Sequence, residues 1–209
     1  MTFKIPKELT SIAFRARFFW RQYEREEALL INQYLPEDAK VLELGGCIGI
    51  VSCLINSKLA DPEKHVVLEA RPDLIPHLLK NRDLNGGEFK VVNKVLSNTG
   101  DKKDFYIHNL IIGGSAHRQT EKKITVECVC LNQLIEEYGV QFNTLVFDIE
   151  GGELELLRDL KFDLGKFTLL VFEIHSFLPL KDQKECFSIL EEAGFRAIDS
   201  KNGTHVWKK

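Results

Sequence analysis

No apolar run in the 209-residue chain approaches the roughly 20 residues that a bilayer-spanning helix needs. The opening stretch MTFKIPKELTSIAFRARFFW scatters charge among its apolar residues and so lacks a secretory signal core. The five cysteines are odd in number and follow no framework spacing, which argues against a disulfide scaffold and for a reducing compartment. Cys128 and Cys130 have no second pair or nearby histidine to complete a zinc set, so they are expected to be buried thiols. Charge of either sign is not in excess: 28 basic residues against 31 acidic ones give a net charge of -3 and no general pull toward polyanions. Nucleic acid and membrane are therefore not the expected partners, and the expected location is the cytoplasm. Internal repeats, low-complexity tracts and linkers are also missing. With 44% hydrophobic residues, one domain over residues 1–209 is expected, divided into an N-terminal helical segment (1–36) and an α/β core (37–209).

What the chain does have is alternation. Trp20, Tyr23, Leu30, Ile31 and Tyr34 recur at helical spacing, and Pro36 ends that helix. Short apolar runs follow at Lys40 to Leu44, His65 to Glu69, Lys90 to Leu96, Thr144 to Ile149 and Phe167 to Ile174. Between most of them lie helix-length segments: Ile48 to Leu59, Pro72 to Leu84, Leu131 to Tyr138, Glu153 to Leu160 and Asp182 to Ala193. This pattern predicts a doubly wound, mainly parallel α/β sheet with helices on both faces. Two places depart from it. DFYIHN and KITVECV flank the glycine-containing IIGGSAH, which predicts an inserted β-hairpin whose tip, with Ser115 and His117, is a candidate lid. FRAID and THVWK are joined by SKNG, where Asn202 and Gly203 suit positive φ, so a C-terminal antiparallel hairpin is expected.

VLELGGCIGI, residues 41–50, carries the first chemical signal. A strand, a glycine-rich turn and a helix starting near Ile48 bring backbone N–H groups and a helix N-terminus to a place where glycines leave room for a ligand. Neither a phosphate-binding P-loop nor the G-x-G-x-x-G of dinucleotide folds fits, whereas E-x-G-G-x-x-G lies nearer to S-adenosylmethionine sites. Glu69 ends the next strand in VVLEARP, where its carboxylate can accept both ribose hydroxyls of an adenosine. Candidate cofactor-binding residues are thus Glu43, Gly45, Gly46, Cys47, Gly49, Glu69 and Ala70, with Ser97 and Asn98 after the third strand as partners for a base edge. NAD would satisfy Glu69 equally well.

FDIEGGELELL places Asp148 and Glu150 at the C-terminal end of a later strand, where open α/β sheets bind ligands, and Glu153 in the first turn of the next helix. Glu173 and His175 end the following strand in LVFEIHSF. If the two strands are neighbours, Asp148, Glu150 and His175 border one crevice. His175 is the candidate general base, because an unperturbed imidazole titrates near neutrality, and Asp148 is the second catalytic candidate, placed near the cofactor. Glu150, Glu153 and Glu155 are compatible with a magnesium site, but acids in a first helical turn also serve the dipole, so Glu153 and Glu155 are read as structural and no metal is assigned.

Taken in order, VLELGGCIG, VVLEARP, VLSNTGDKKDFY, GGSAH, ITVECVCLNQLIEEYGVQFNTLVFDIEGGELELL, LLVFEIHSF and LEEAGFRAI resemble the FkbM-type S-adenosylmethionine-dependent methyltransferases. The likeness runs over about residues 40–200, and its most specific element is the D-x-E-G-x-E of Asp148, Glu150, Gly151 and Glu153. It implies a seven-stranded methyltransferase fold, S-adenosylmethionine as cofactor and O-methylation of a hydroxyl on a sugar, polyketide or other small molecule. This chain has Glu43 where the family commonly has Asp, Cys47 in place of Asn and Phe147 in place of Lys, differences that bear more on the substrate than on the cofactor. The alternatives are a nicotinamide-dependent oxidoreductase and a non-catalytic adenosyl-binding module working through an RNA or protein partner. The basic and aromatic N-terminal stretch, with Lys4, Lys7, Arg15, Arg17, Arg21 and Arg25 among Phe14, Phe18, Phe19 and Trp20, is read as a helix packed on the core, with a homodimer contact as another use.

Overall fold

A computed structural model describes residues 1–10, 25–106 and 123–209. The first half of the expected N-terminal helix and the IIGGSAH tip lie outside the described residues. Among the described residues, no helix is long and apolar enough to cross a membrane.

Helix α1 (Arg25–Tyr34) leads into strand β1 (Val41–Leu44), α2 (Ile50–Lys58), β2 (His65–Leu68), α3 (Ile75–Leu84) and β3 (Lys90–Val92). A second unit follows: β4 (Val95–Leu96), β5 (Lys102–Tyr106) and β6 (Lys123–Val129). The chain then returns through α4 (Leu131–Tyr138), β7 (Thr144–Phe147), α5 (Glu153–Asp159), β8 (Leu169–Glu173), α6 (Leu180–Glu192), β9 (Arg196–Lys201) and β10 (Thr204–Lys208). The main sheet has seven strands in the order β3-β2-β1-β7-β8-β10-β9. Its first five are mutually parallel, and β10 runs antiparallel to both β8 and β9.

The period of two along the central strands explains the two layers of helices. Leu42, Leu44, Val66, Leu68, Leu145, Phe147, Leu170 and Phe172 point to one side, into a core shared with Leu134, Leu157, Cys186 and Leu190. Val41, Val146, Leu169 and Val171 point to the other, against Leu30 and Ile31 of α1 and Val51 and Ile55 of α2. All four positions of β1, β2 and β7 are buried, so these strands are mostly apolar instead of alternating, with Glu43, His65 and Thr144 as their buried polar residues.

The expected third strand, 90–96, is two strands. β3 pairs with β2, whereas β4 pairs with β6 in a separate three-stranded sheet, β4-β6-β5. Asn93 causes the break: its side-chain amide donates to the carbonyls of Glu69 (2.7 Å) and Ala70 (3.1 Å), so a side chain takes over where the ladder stops. The inserted hairpin forms as expected, with β5 antiparallel to β6. So does the terminal one, and both Asn202 (φ 48°) and Gly203 (φ 95°) are left-handed, as a two-residue turn between twisted strands requires. All five cysteines are free, but only Cys53 and Cys186 are buried. Cys128 and Cys130 are half-buried, the backbone N–H of Cys130 donating to Gln133 where α4 begins.

The strand order reverses between β1 and β7. The chain works outward from β1 to β3 and then returns to the other side of β1, which leaves a crevice outside the carboxyl ends of β1 and β7.

Candidate active site

The bare backbone at 45–46 serves packing first. A Cβ on Gly45, whose φ is 91°, would lie 2.0 Å from the carbonyl oxygen of Asp148, and one on Gly46 would lie 2.4 Å from Val67 Cγ1. Packing against neighbouring protein atoms therefore requires glycine at both positions, a reason additional to the expected room for a ligand. Their absence of side chains lets the ends of β1, β2 and β7 close together, with Asp148 N–H donating to Leu44 O at 3.1 Å. The turn continues through Cys47, a non-glycine residue at φ 49°, and Gly49 at φ 83° then starts α2.

A single crevice over this turn is lined by Glu43, Gly45, Gly46, Cys47, Glu69, Ala70 and Asp148, all named from the sequence, together with Leu96, Lys103, Glu150 and Glu155. Glu69 is 5% exposed and accepts N–H hydrogen bonds from Cys47 and Arg71, each at 2.7 Å. Burial pushes its carboxyl up to about 7, the two N–H donors and the Arg71 charge offsetting part of that rise. Each oxygen retains a second lone pair for a hydroxyl donor. Glu43 is also buried, between Ser52 Oγ at 2.6 Å and His65 Nε2 at 2.8 Å. Its carboxylate is therefore fixed by neighbours on α2 and β2.

Three cofactor candidates are not brought to this crevice. Gly49 caps α2. Ser97 Oγ bonds Thr99, and the side chain of Asn98 donates to Asp159 O and Asp163 Oδ2, so both are engaged in the turn after β4. Lys103 was not singled out from the sequence. It reaches the crevice from the inserted hairpin and pairs with Glu155 at 2.9 Å, a placement that no local spacing reports.

Strands β7 and β8 are neighbours, and the residues at their ends meet. His175 Nδ1 bonds Glu153 Oε1 at 2.8 Å, while its Nε2 stands 3.6 Å from Asp148 Oδ1 and 3.5 Å from Glu150 Oε2. Glu153, read from the sequence as a helix-dipole residue, is 0% exposed and orients the imidazole, and it also accepts from Gly151 N at 2.9 Å. The magnesium set Glu150, Glu153 and Glu155 is not assembled: Glu153 is turned to His175 and Glu155 to Lys103. Among the described residues, it is Asp148, Glu173 and His175 whose ligand atoms lie within 4.8 Å of one another. Glu173 follows from strand period, since it lies two residues before His175.

Electrostatics departs from the near-neutral imidazole expected from sequence. Burial alone would lower the pKa of His175, but the Glu153 hydrogen bond and the charges of Asp148, Glu150 and Glu153 outweigh it and hold the ring up at about 9. Burial pushes Asp148 up to about 6, opposed by His175, and Glu173 up to about 7, with the Asp148 charge adding to the rise.

An open α/β sheet of this order, with a glycine turn after the first strand, an acid ending the second and a crevice at the switch point, defines a class I, Rossmann-like methyltransferase. Solved structures agree on the fold. The precorrin-6Y C5,15-methyltransferase of Geobacter metallireducens superposes with a TM-score of 0.56 at 11% identity over 98% of this chain and 92% of its own. Sp1610 of Streptococcus pneumoniae, in complex with S-adenosyl-L-methionine, gives 0.51 at 13% identity over 87% and 71%. The family model for the methyltransferase FkbM domain matches residues 43–197, and the chain belongs to that family of S-adenosylmethionine-dependent methyltransferases. It is also 25% identical over 171 residues to the hexuronic acid methyltransferase AglP of Haloferax volcanii, covering 81% of this chain and 69% of that protein.

Proposed function

We propose that this enzyme transfers the methyl group of S-adenosylmethionine to a hydroxyl of a small sugar-type acceptor. The observation that carries the proposal is the contact between two differently built halves of one site: the Glu69-lined crevice and, sharing Asp148 and Glu150 with it, the carboxylate–imidazole cluster around His175. Glu69 accepts the ribose hydroxyls, and the turn at 45–47 faces the remainder of the cofactor. The acceptor oxygen approaches from the side of β8. A bond would form between the acceptor oxygen and the methyl carbon as the sulfonium C–S bond breaks, the hydroxyl proton would pass to the Asp148 carboxylate that His175 faces, and S-adenosylhomocysteine would leave. Alignment of the three reacting atoms supplies roughly 7 to 11 kcal/mol in such displacements, and a positioned base a further 10² to 10⁴-fold. The likeness to a hexuronic acid methyltransferase supports the sugar-type acceptor.

Calorimetric titration with S-adenosylmethionine, S-adenosylhomocysteine and NAD, followed by mass spectrometry of uronic acid glycosides incubated with enzyme and cofactor, tests this reading. The expected result is binding of the two adenosyl ligands but not NAD, and a gain of one CH₂ unit on the glycoside. Binding of NAD alone refutes the assignment of the crevice. Methylation confined to a non-hydroxyl group refutes the chemistry.

A further inference from the structure

Hydrogen bonding leaves part of the His175 cluster unaccounted for. Four carboxyl groups, of Asp148, Glu150, Glu153 and Glu173, gather around one imidazole. Only one of them, Glu153, is hydrogen-bonded to the ring. The separations of Nε2 from Asp148 Oδ1 and Glu150 Oε2, 3.6 and 3.5 Å, are too long for hydrogen bonds. The Asp148 separation lies between the two donor spacings around an ion with bonds of about 2.2 Å, about 3.1 Å for adjacent donors and about 4.4 Å for opposite ones.

Three further observations agree. The ligand atoms of Asp148, Glu173 and His175 all lie within 4.8 Å of one another. Asp148 Oδ1 and Glu153 Oε2 are shielded from solvent and have no hydrogen bond among the described residues, and the Glu153 side chain is wholly buried. Moreover, Glu153 engages Nδ1, which fixes the ring with Nε2 facing Asp148, the carboxylate–histidine pattern that orients metal-binding imidazoles.

We infer that Asp148, Glu173 and His175 Nε2 form a binding site for one divalent cation, the ion replacing the Nε2 proton of the metal-free ring, with Glu153 as the positioning residue behind the imidazole. One nitrogen and two carboxylates favour a manganese-type ion over magnesium, which prefers all-oxygen coordination, and over zinc, which prefers more nitrogen or sulfur. Asp148 also lines the crevice, so an ion held here would lie beside the space assigned to the acceptor. The inference rests on the methyltransferase reading only for that last role.

The test is titration of chelator-treated full-length protein with Mn²⁺, followed by the loss of the free-ion electron paramagnetic resonance signal, with Mg²⁺ and Zn²⁺ as competitors. One Mn²⁺ per chain is expected, displaced less readily by Mg²⁺. Glu173→Gln and His175→Asn should each weaken binding at least tenfold, and Glu153→Gln should do so although it contributes no ligand. Thermal melting in the absence of metal checks that each variant folds. Absence of saturable Mn²⁺ binding by the wild-type protein, or unchanged binding in both ligand variants, overturns the site. S-adenosylmethionine binding by the same metal-free protein is measured in parallel: its retention alongside no Mn²⁺ binding sinks the cation site alone, and its loss counts against the cofactor assignment.

Discussion

Cofactor affinity should depend on pH through Glu69, and its size follows from the burial of that side chain. A carboxyl with a pKa of about 7 is roughly one-tenth ionised at pH 6 and roughly nine-tenths ionised at pH 8. Only the ionised group has both oxygens available as acceptors for ribose hydroxyls while also accepting from the N–H groups of Cys47 and Arg71. The dissociation constant for S-adenosylmethionine should therefore fall about tenfold from pH 6 to pH 8, or about 1.4 kcal/mol. Stability moves the other way. The unfolded chain ionises Glu69 near 4.5 and the folded chain near 7, so the fold loses about 3 kcal/mol from this group as pH rises through that interval. The assay is calorimetric titration at pH 6, 7 and 8 with wild type and Glu69→Gln, because the ratio of the two affinities cancels titrations of the ligand and of Asp148. A ratio that stays constant across the range would refute the argument that a buried, ionised Glu69 meets the ribose.

The other predictions concern single side chains. Gly45→Ala combines a φ of 91° with a Cβ 2.0 Å from Asp148 O, and should cost 3 kcal/mol or more in urea unfolding, on the order of strain plus overpacking. Gly203→Ala, at φ 95° with its Cβ 3.2 Å from Ile174 O, should cost only about 1 to 2 kcal/mol while leaving S-adenosylmethionine affinity unchanged. Ser52→Ala removes the 2.6 Å hydrogen bond to buried Glu43 and should destabilise the protein by about 1 to 3 kcal/mol, read from the same unfolding curves. His175→Ala should spare cofactor binding, measured by calorimetry, and slow methyl transfer to a hydroxyl in single-turnover assays, because without the imidazole charge Asp148 titrates higher and is less often ionised to take the proton.

The fold was largely legible because its central strands are buried on both faces, and runs such as VLEL and TLVF are too short and apolar to be surface helices. Asn202 and Gly203 likewise announced their turn by residue type alone. The split of 90–96 was not legible. It depends on Asn93 reaching the carbonyls of Glu69 and Ala70, more than twenty residues away in sequence, so no local pattern carries it. The site divides the same way. Glu69, Asp148 and His175 were visible as polar residues ending apolar strands, the positions where such a sheet opens to a ligand. The role of Glu153 was hidden, because an acid in a first helical turn has a sufficient local explanation until β7 and β8 are known to be neighbours.

That adjacency also explains how one short stretch of sheet holds so much uncompensated charge. Asp148 and Glu150 leave the end of β7, Glu173 and His175 end β8, and Glu153 begins the helix between them, so parallel pairing delivers all five side chains to the same edge. A carboxylate alone in this half-buried place would lower its cost by taking up a proton. A positively charged neighbour removes that cost without consuming the carboxylate, and the imidazole of His175 supplies one such charge. The same positive charge opposes the burial that raises Asp148, so the group that the edge makes costly to ionise is also the one kept available to take a proton.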